Sequence, residues 1–155
     1  MKHQIAVLLH NVRSAHNAGS IFRTADVAGA KKVFLSGYTP APRDRFGRIQ
    51  KEIAKTALGA EQYLEWEYKK SPLSIISTLR KNGWYIVAVE QDKTSLDYRK
   101  FKLKKPTLFV LGNEVSGIPK SLLKKCDAII EIPMRGKKES LNVSVAAGIV
   151  LFSIR

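Results

Sequence analysis

Acids are scarce in this chain. Its 155 residues hold 13 Asp and Glu against 27 Lys and Arg, a net charge of +14. So few carboxylates on so basic a chain imply a polyanionic partner, most often nucleic acid. Cysteine is nearly absent too. Cys126 stands alone, which excludes an internal disulfide and fits a reducing, cytoplasmic setting. No apolar run approaches the roughly 18 residues of a membrane span, and the opening MKHQ leads into a strand rather than a signal peptide. Neither GxGxxG after the first strand nor GxxxxGK[ST] occurs, which argues against a nucleotide held by those devices. No Cys/His cluster exists, and His3, His10 and His16 lack helical ligand spacing, so no metal site is expected. With no repeat, low-complexity tract or linker, residues 1–155 read as one domain, long enough to bury a core.

What is present alternates between short apolar runs and helical periods. Ile5–Leu9, Val33–Leu35, Tyr63–Trp66, Trp84–Val89, Thr107–Leu111 and Ala128–Ile132 read as strands. Helices are expected over Asn17–Ala28, Ile49–Leu58, Pro72–Lys81, Lys120–Lys125 and Asn142–Ile154. Asn17 is the expected cap of the first, and Ser140 or Asn142 of the last. Gly37–Arg48, with Pro40, Pro42 and Gly47, reads as a loop. The alternation means an α/β fold with a mostly parallel sheet flanked by helices.

The last third is the most informative. LFVLGNEVSGIP and IPMRGKKESLNVSVAAGI each place a Gly-bearing polar loop directly after an apolar strand. Chains build ligand pockets at strand ends in this way. Near the N-terminus, NVRSAHNAGSIFRTADVAGA adds a third polar loop, with an Asn and an Arg at a helix start.

These three segments resemble the three motifs of the SpoU/TrmH branch of the SPOUT RNA methyltransferases. The first is Asn17, Gly19 and Arg23, followed by Thr24-Ala25 and closed by Gly29; the second is LGNE-x-x-G at Leu111–Gly117; the third is IPM-x-G at Ile132–Gly136 with SLNVSVA at Ser140–Ala146. The segment KTALGAEQYLEW is similar as well, although Ala57 stands where the family often has Ser. The resemblance implies S-adenosylmethionine-dependent methylation of a ribose 2′-hydroxyl in tRNA or rRNA. It further implies a C-terminal trefoil knot that holds the cofactor, and a homodimer. It covers essentially the whole chain and leaves no appended RNA-binding domain. RNA recognition is then expected from the core's own surface, the dimer or an accessory protein.

The residues are consistent with that chemistry. Adenine needs an aliphatic slot with backbone polar groups on its rim, and Leu111, Ile132, Met134 and Leu141 are suitable walls. With Gly112, Asn113, Gly117 and Pro133 they make the cofactor-binding set that the resemblance implies. The catalytic set expected from the resemblance is Arg23, with Asn17, Glu114, Ser140 and Asn142 as candidates beside it. Arginine holds its proton in proteins, so the safer role for Arg23 is to grip a neighbouring phosphate and stabilise a developing alkoxide, with action as a base left open. Two basic stretches offer RNA contacts. Arg43, Arg45, Arg48 and Lys51 lie beside Tyr38 and Phe46, which can stack on an unpaired base. Arg99, Lys100, Lys102, Lys104 and Lys105 form the second. A non-catalytic RNA-binding protein of the same fold and an RNA base methyltransferase are the alternatives.

Overall fold

A computed structural model describes residues 3–154; Met1, Lys2 and Arg155, the ends of the expected domain, lie outside the described residues. Seven strands form one sheet: β1 (Ile5–His10), β2 (Lys32–Ser36), β3 (Glu65–Lys69), β4 (Tyr85–Val89), β5 (Leu96–Asp97), β6 (Thr107–Leu111) and β7 (Ala128–Glu131). Their order is β3-β2-β1-β6-β4-β7-β5, and every neighbouring pair is parallel. Strands covered on both faces need side chains that are apolar in every register, which is why IAVLL and TLFVL are continuous runs. Ile5, Val7 and Leu9 point into one core cluster, Ala6 and Leu8 into the other.

The first core is covered by α1 (Ala15–Val27) and α6 (Val143–Ser153), with α2 (Lys51–Ala57) outside α1. Ile21 and Phe22 of α1 are fully buried there, each contributing about 1.5–3 kcal/mol. The second core is covered by α4 (Pro72–Lys81), through Ile75 and Ile76, and by the short α5 (Lys120–Leu123), through Leu122. Gly19 lets α1 and α2 nearly touch. A Cβ there would stand 2.0 Å from Thr56 Oγ1 and 2.5 Å from the Ile53 carbonyl oxygen.

Several sequence expectations shift. Ser14, not Asn17, caps α1, its hydroxyl accepting from the Asn17 N–H at 3.1 Å. The helix therefore starts earlier, and the Asn17 side chain is free for other work. Asn142 is the cap of α6, accepting from the Ser144 N–H. The expected strand at Tyr63–Trp66 is displaced. Ala60–Tyr63 closes a further helical turn, α3, and β3 begins at Glu65. The second helix starts at Lys51 because Ile49 is held by an antiparallel bridge to Arg43. The two-residue edge strand β5 and the 3-10 turn Tyr98–Lys100 carried no sequence signal.

Candidate active site

The strand order reverses beside β1. Successive strands β1, β2 and β3 run outward on one side, and β6 joins on the other. Such a switch point leaves a crevice at the C-terminal ends of the strands. The cleft, of about 190 Å³, opens next to that point, where the C-terminal ends of β6, β4 and β7 meet the start of α6.

Most of the expected residues meet in it. Leu111, Ile132, Met134 and Leu141 are its apolar walls; Gly112, Asn113, Gly117, Glu114 and Ser140 line the rest. Pro133 and Asn142 are not among the lining residues. The loop after β6 is folded on itself. Asn113 Oδ1 accepts from the Val115 and Ser116 N–H groups at 2.9 Å, and its Nδ2 donates to the Asn11 carbonyl and the Tyr38 hydroxyl at 3.0 Å. Val115 is left at the tip, 96% exposed. Gly117 has φ +70, and a Cβ there would meet the Glu90 carboxylate at 2.4 Å.

Glu114 ties this loop to α1. Its Oε1 accepts from the Arg13 N–H at 3.0 Å; its Oε2 accepts from the Ser14 N–H at 2.9 Å and from Asn17 Nδ2 at 3.3 Å. Burial pushes this carboxyl up, but the Ser14 and Arg13 N–H groups and the Asn17 amide together outweigh it, leaving the group below its ordinary value. Asn17, only 8% exposed, passes the connection on, its Oδ1 accepting from Asn142 Nδ2 at 3.2 Å. One chain of hydrogen bonds thus joins all three sequence segments.

Arg23 is placed elsewhere. It lies six residues beyond Asn17, about 9 Å along α1 and about 120° around it. It is exposed, does not line the cleft and has no hydrogen-bond or ion-pair partner among the described residues. The basic loop is ordered by its own contacts. Asp44 accepts from the Arg48 and Phe46 N–H groups and pairs with Arg48 Nε at 2.7 Å; Arg43 donates to the Gly47 carbonyl at 2.8 Å. The guanidinium groups of Arg45 and Arg48 lie 4.9 and 5.0 Å from the Phe46 ring centre. Lys51 is exposed in the first turn of α2.

Sequence reasoning missed the end of β4. Val89, Glu90 and Gln91 line the cleft, as do Glu131, Val143 and Ala146. Glu90 Oε2 accepts from the Ile118 N–H at 2.9 Å, and Gln91 Nε2 donates to the Glu139 carbonyl at 2.7 Å, binding β4 to both pocket loops. The available signal was positional, a carboxylate and an amide directly after an apolar strand. The result is a charge inversion. A chain of net charge +14 lines this cleft with Glu90, Glu114 and Glu131 and with no Lys, Arg or His.

Known proteins share this fold. An AdoMet-bound rRNA methyltransferase from Sinorhizobium meliloti superposes with a TM-score of 0.88 at 32% identity, over 99% of this chain and 56% of that one. The 23S rRNA (guanosine-2'-O-)-methyltransferase of Ralstonia nicotianae is 33% identical over 148 residues, covering 96% of this chain and 57% of its own. The tRNA (guanosine(18)-2'-O)-methyltransferase of Aquifex aeolicus is 32% identical over 148 residues, covering 96% and 67%. The chain therefore spans roughly half to two thirds of the length of these relatives. The profile of the SpoU rRNA Methylase family matches residues 4–152, so the chain belongs to that family.

Proposed function

We propose that the chain is an S-adenosylmethionine-dependent methyltransferase acting on a ribose 2′-hydroxyl of tRNA or rRNA, and that it works as a homodimer in the cytoplasm. The observation that carries the reading is the acidic, apolar-walled cleft on a strongly basic chain. A flat adenine fits the aliphatic walls, and a sulfonium or ammonium suits carboxylates rather than lysines. Relatives named as guanosine 2′-O-methyltransferases of tRNA and rRNA, and an AdoMet-bound neighbour, support the same assignment.

Leu111, Ile132, Met134 and Leu141 would wall the adenine, with Glu90 and Glu131 facing the positive end. When bound, S-adenosylmethionine supplies a methyl group already activated for transfer. The protein's task is then to hold a ribose oxygen in line and to stabilise charge developing on it. Asn17 and Asn142 hold the loops in register, and the apolar walls exclude water. The C-terminal trefoil knot belongs to this reading. It is supported by the chain's membership of the family whose motifs it shares.

The dimer is supported by α6, which is apolar on more faces than its own core uses. Val145 and Phe152, seven residues apart on one stripe, are 49% and 50% exposed, with the half-buried Ile149 between them. Arg23 lies outside its own cleft, so its catalytic role requires service across an interface formed by α1 and α6.

Nuclease digestion and mass spectrometry of methylated tRNA and rRNA should yield a 2′-O-methylnucleoside. A methylated base, or cofactor binding with no transfer to RNA, would overturn the reading. Leu141→Arg puts a cation into the slot and should abolish cofactor binding, whereas Arg23→Ala should leave binding intact and slow transfer by orders of magnitude. Mixing these two inactive variants should restore about a quarter of full activity, since half the dimers then hold one complete site. No recovery in mixed dimers would rule out service across the interface.

A further inference from the structure

We propose that a lysine-lined groove at the opposite end of the sheet is a second binding site for the phosphate backbone of the substrate RNA. It rests on the reading of RNA as substrate. The groove, of about 380 Å³, lies where β4 and β6 begin, beside Tyr85 and Thr107, while the cleft lies where the same strands end. The five-residue strands set Tyr85 and Thr107 about 13 Å from the cleft-lining Val89 and Leu111, and Leu96 of the edge strand carries the groove's rim up to the level of Val89, both pairing with Ile130.

Four cations converge there. Lys100, Lys102, Lys104 and Lys105 line the groove, and its lining contains no acid. The segment FKLKK explains the placement. Phe101 and Leu103 turn inward onto the core, Phe101 edge-on to Phe109 at 5.9 Å, while Lys102 and Lys104 stay exposed. Alternation sets these two lysines on one side, about 7 Å apart, comparable to the step between phosphates of an extended strand. Lys105 is positioned from below, its ammonium 5.1 Å from the Tyr85 ring centre.

The neighbouring acids are already committed. The two oxygens of Asp97 share the Arg99 Nε–H, Oδ1 also accepts from the Arg99 backbone N–H, and Oδ2 pairs with Nη2. Asp127 pairs with Arg80 at 3.3 Å and accepts from the Ile86 N–H at 2.8 Å. None of the four lysines has a carboxylate within ion-pair distance among the described residues. Four like charges within about a Debye length repel one another, and a concave wall focuses their field outward. A polyanion relieves that repulsion, and each neutralised phosphate releases counterions. Lysine ammonium groups act as point charges without base readout, so the groove positions RNA rather than selecting its sequence.

The test changes Lys100, Lys102, Lys104 and Lys105 together to Gln in the full chain. Fluorescence anisotropy with a labelled tRNA transcript, between about 50 and 200 mM salt, reads affinity and its salt slope. The variant should bind at least tenfold more weakly, with the log–log slope reduced by about 3, at 0.7–0.9 per phosphate contact. Cofactor affinity and melting temperature should not fall. Wild-type affinity and slope in the variant, with weakened binding after Arg43→Ala plus Arg45→Ala, would sink the groove and leave the proposed function standing. A wild-type chain that binds no RNA would sink the proposed function itself. Heparin as a second probe covers the remaining case: loss of heparin binding with RNA binding unchanged would make this a groove for some other polyanion.

Discussion

Replacing Glu114 by Gln should loosen the joint between the cleft loop and α1. The carboxylate accepts three N–H donors, two at Oε2 and one at Oε1. A Gln can keep its oxygen toward Ser14 and Asn17, which turns its NH₂ toward the Arg13 N–H. That donor is then lost to water, costing about 1 kcal/mol, because the pair is exposed. The two remaining bonds lose their charge assistance, and the start of α1 loses an anion that its dipole favours, about 1 kcal/mol together. The sum is about 2 kcal/mol, or a melting temperature lower by about 4–8 °C for a chain of this size. The pH dependence follows from the lowered folded-state pKa. Such a carboxylate contributes fully above its unfolded value, about 4.3, and its contribution is lost as pH falls through the folded value. Urea unfolding of both proteins at matched concentration, at neutral pH and in steps below pH 5, measures the difference. A gap below about 0.5 kcal/mol at neutral pH, or one that survives full protonation, would show that Glu114 does not hold the joint.

Two further outcomes test the packing around the site. Gly19→Ala should destabilise by at least about 1 kcal/mol despite alanine's better helix propensity, since the new Cβ meets the Ile53 carbonyl at 2.5 Å and α2 must move; a more stable variant in thermal melting would show that the α1–α2 spacing is soft. Val145→Asp should give monomers in sedimentation at micromolar concentration, with the chain still folded by circular dichroism. A dimer that tolerates the buried charge would place the interface elsewhere.

Much of the fold was legible because its determinants are local. β6 and α4 match the sequence reading residue for residue. β6 is a pure apolar run, and α4 has Ser71 as cap, Pro72 in its first turn and Asn82-Gly83 as stop. The cleft walls were legible for the same reason, since a Gly-bearing loop after an apolar strand announces itself. What remained hidden depends on distance. The bonds of Asn17 reach Glu114 and Asn142, 97 and 125 residues away, and no window along the chain contains them. Asn17 looked like a cap because it is an Asn at a helix start, and only the earlier Ser14 hydroxyl shows otherwise. Glu90 shows in the sequence only as a carboxylate after an apolar strand, and its place in the cleft emerges once β7 and β6 stand on either side of β4. β5, at two residues, is too short to show a period.

The central pairing of the sheet has a consequence for synthesis. β1 is bonded to β2 on one edge and to β6 on the other, and residues 5–9 cannot meet residues 107–111 until the intervening stretch, about a hundred residues, has been made. While the polypeptide emerges, β1, β2 and β3 can close as a three-stranded half with α1 and α2 upon it. The open edge of that half is IAVLL, with unpaired amides and no charge or proline to guard it. Parallel pairing over such a separation is slow to close. The nascent chain therefore carries its stickiest edge until β6 emerges, and the strand that finally covers it also delivers the Gly112–Gly117 loop. Burial of the edge and assembly of the site are one late folding event.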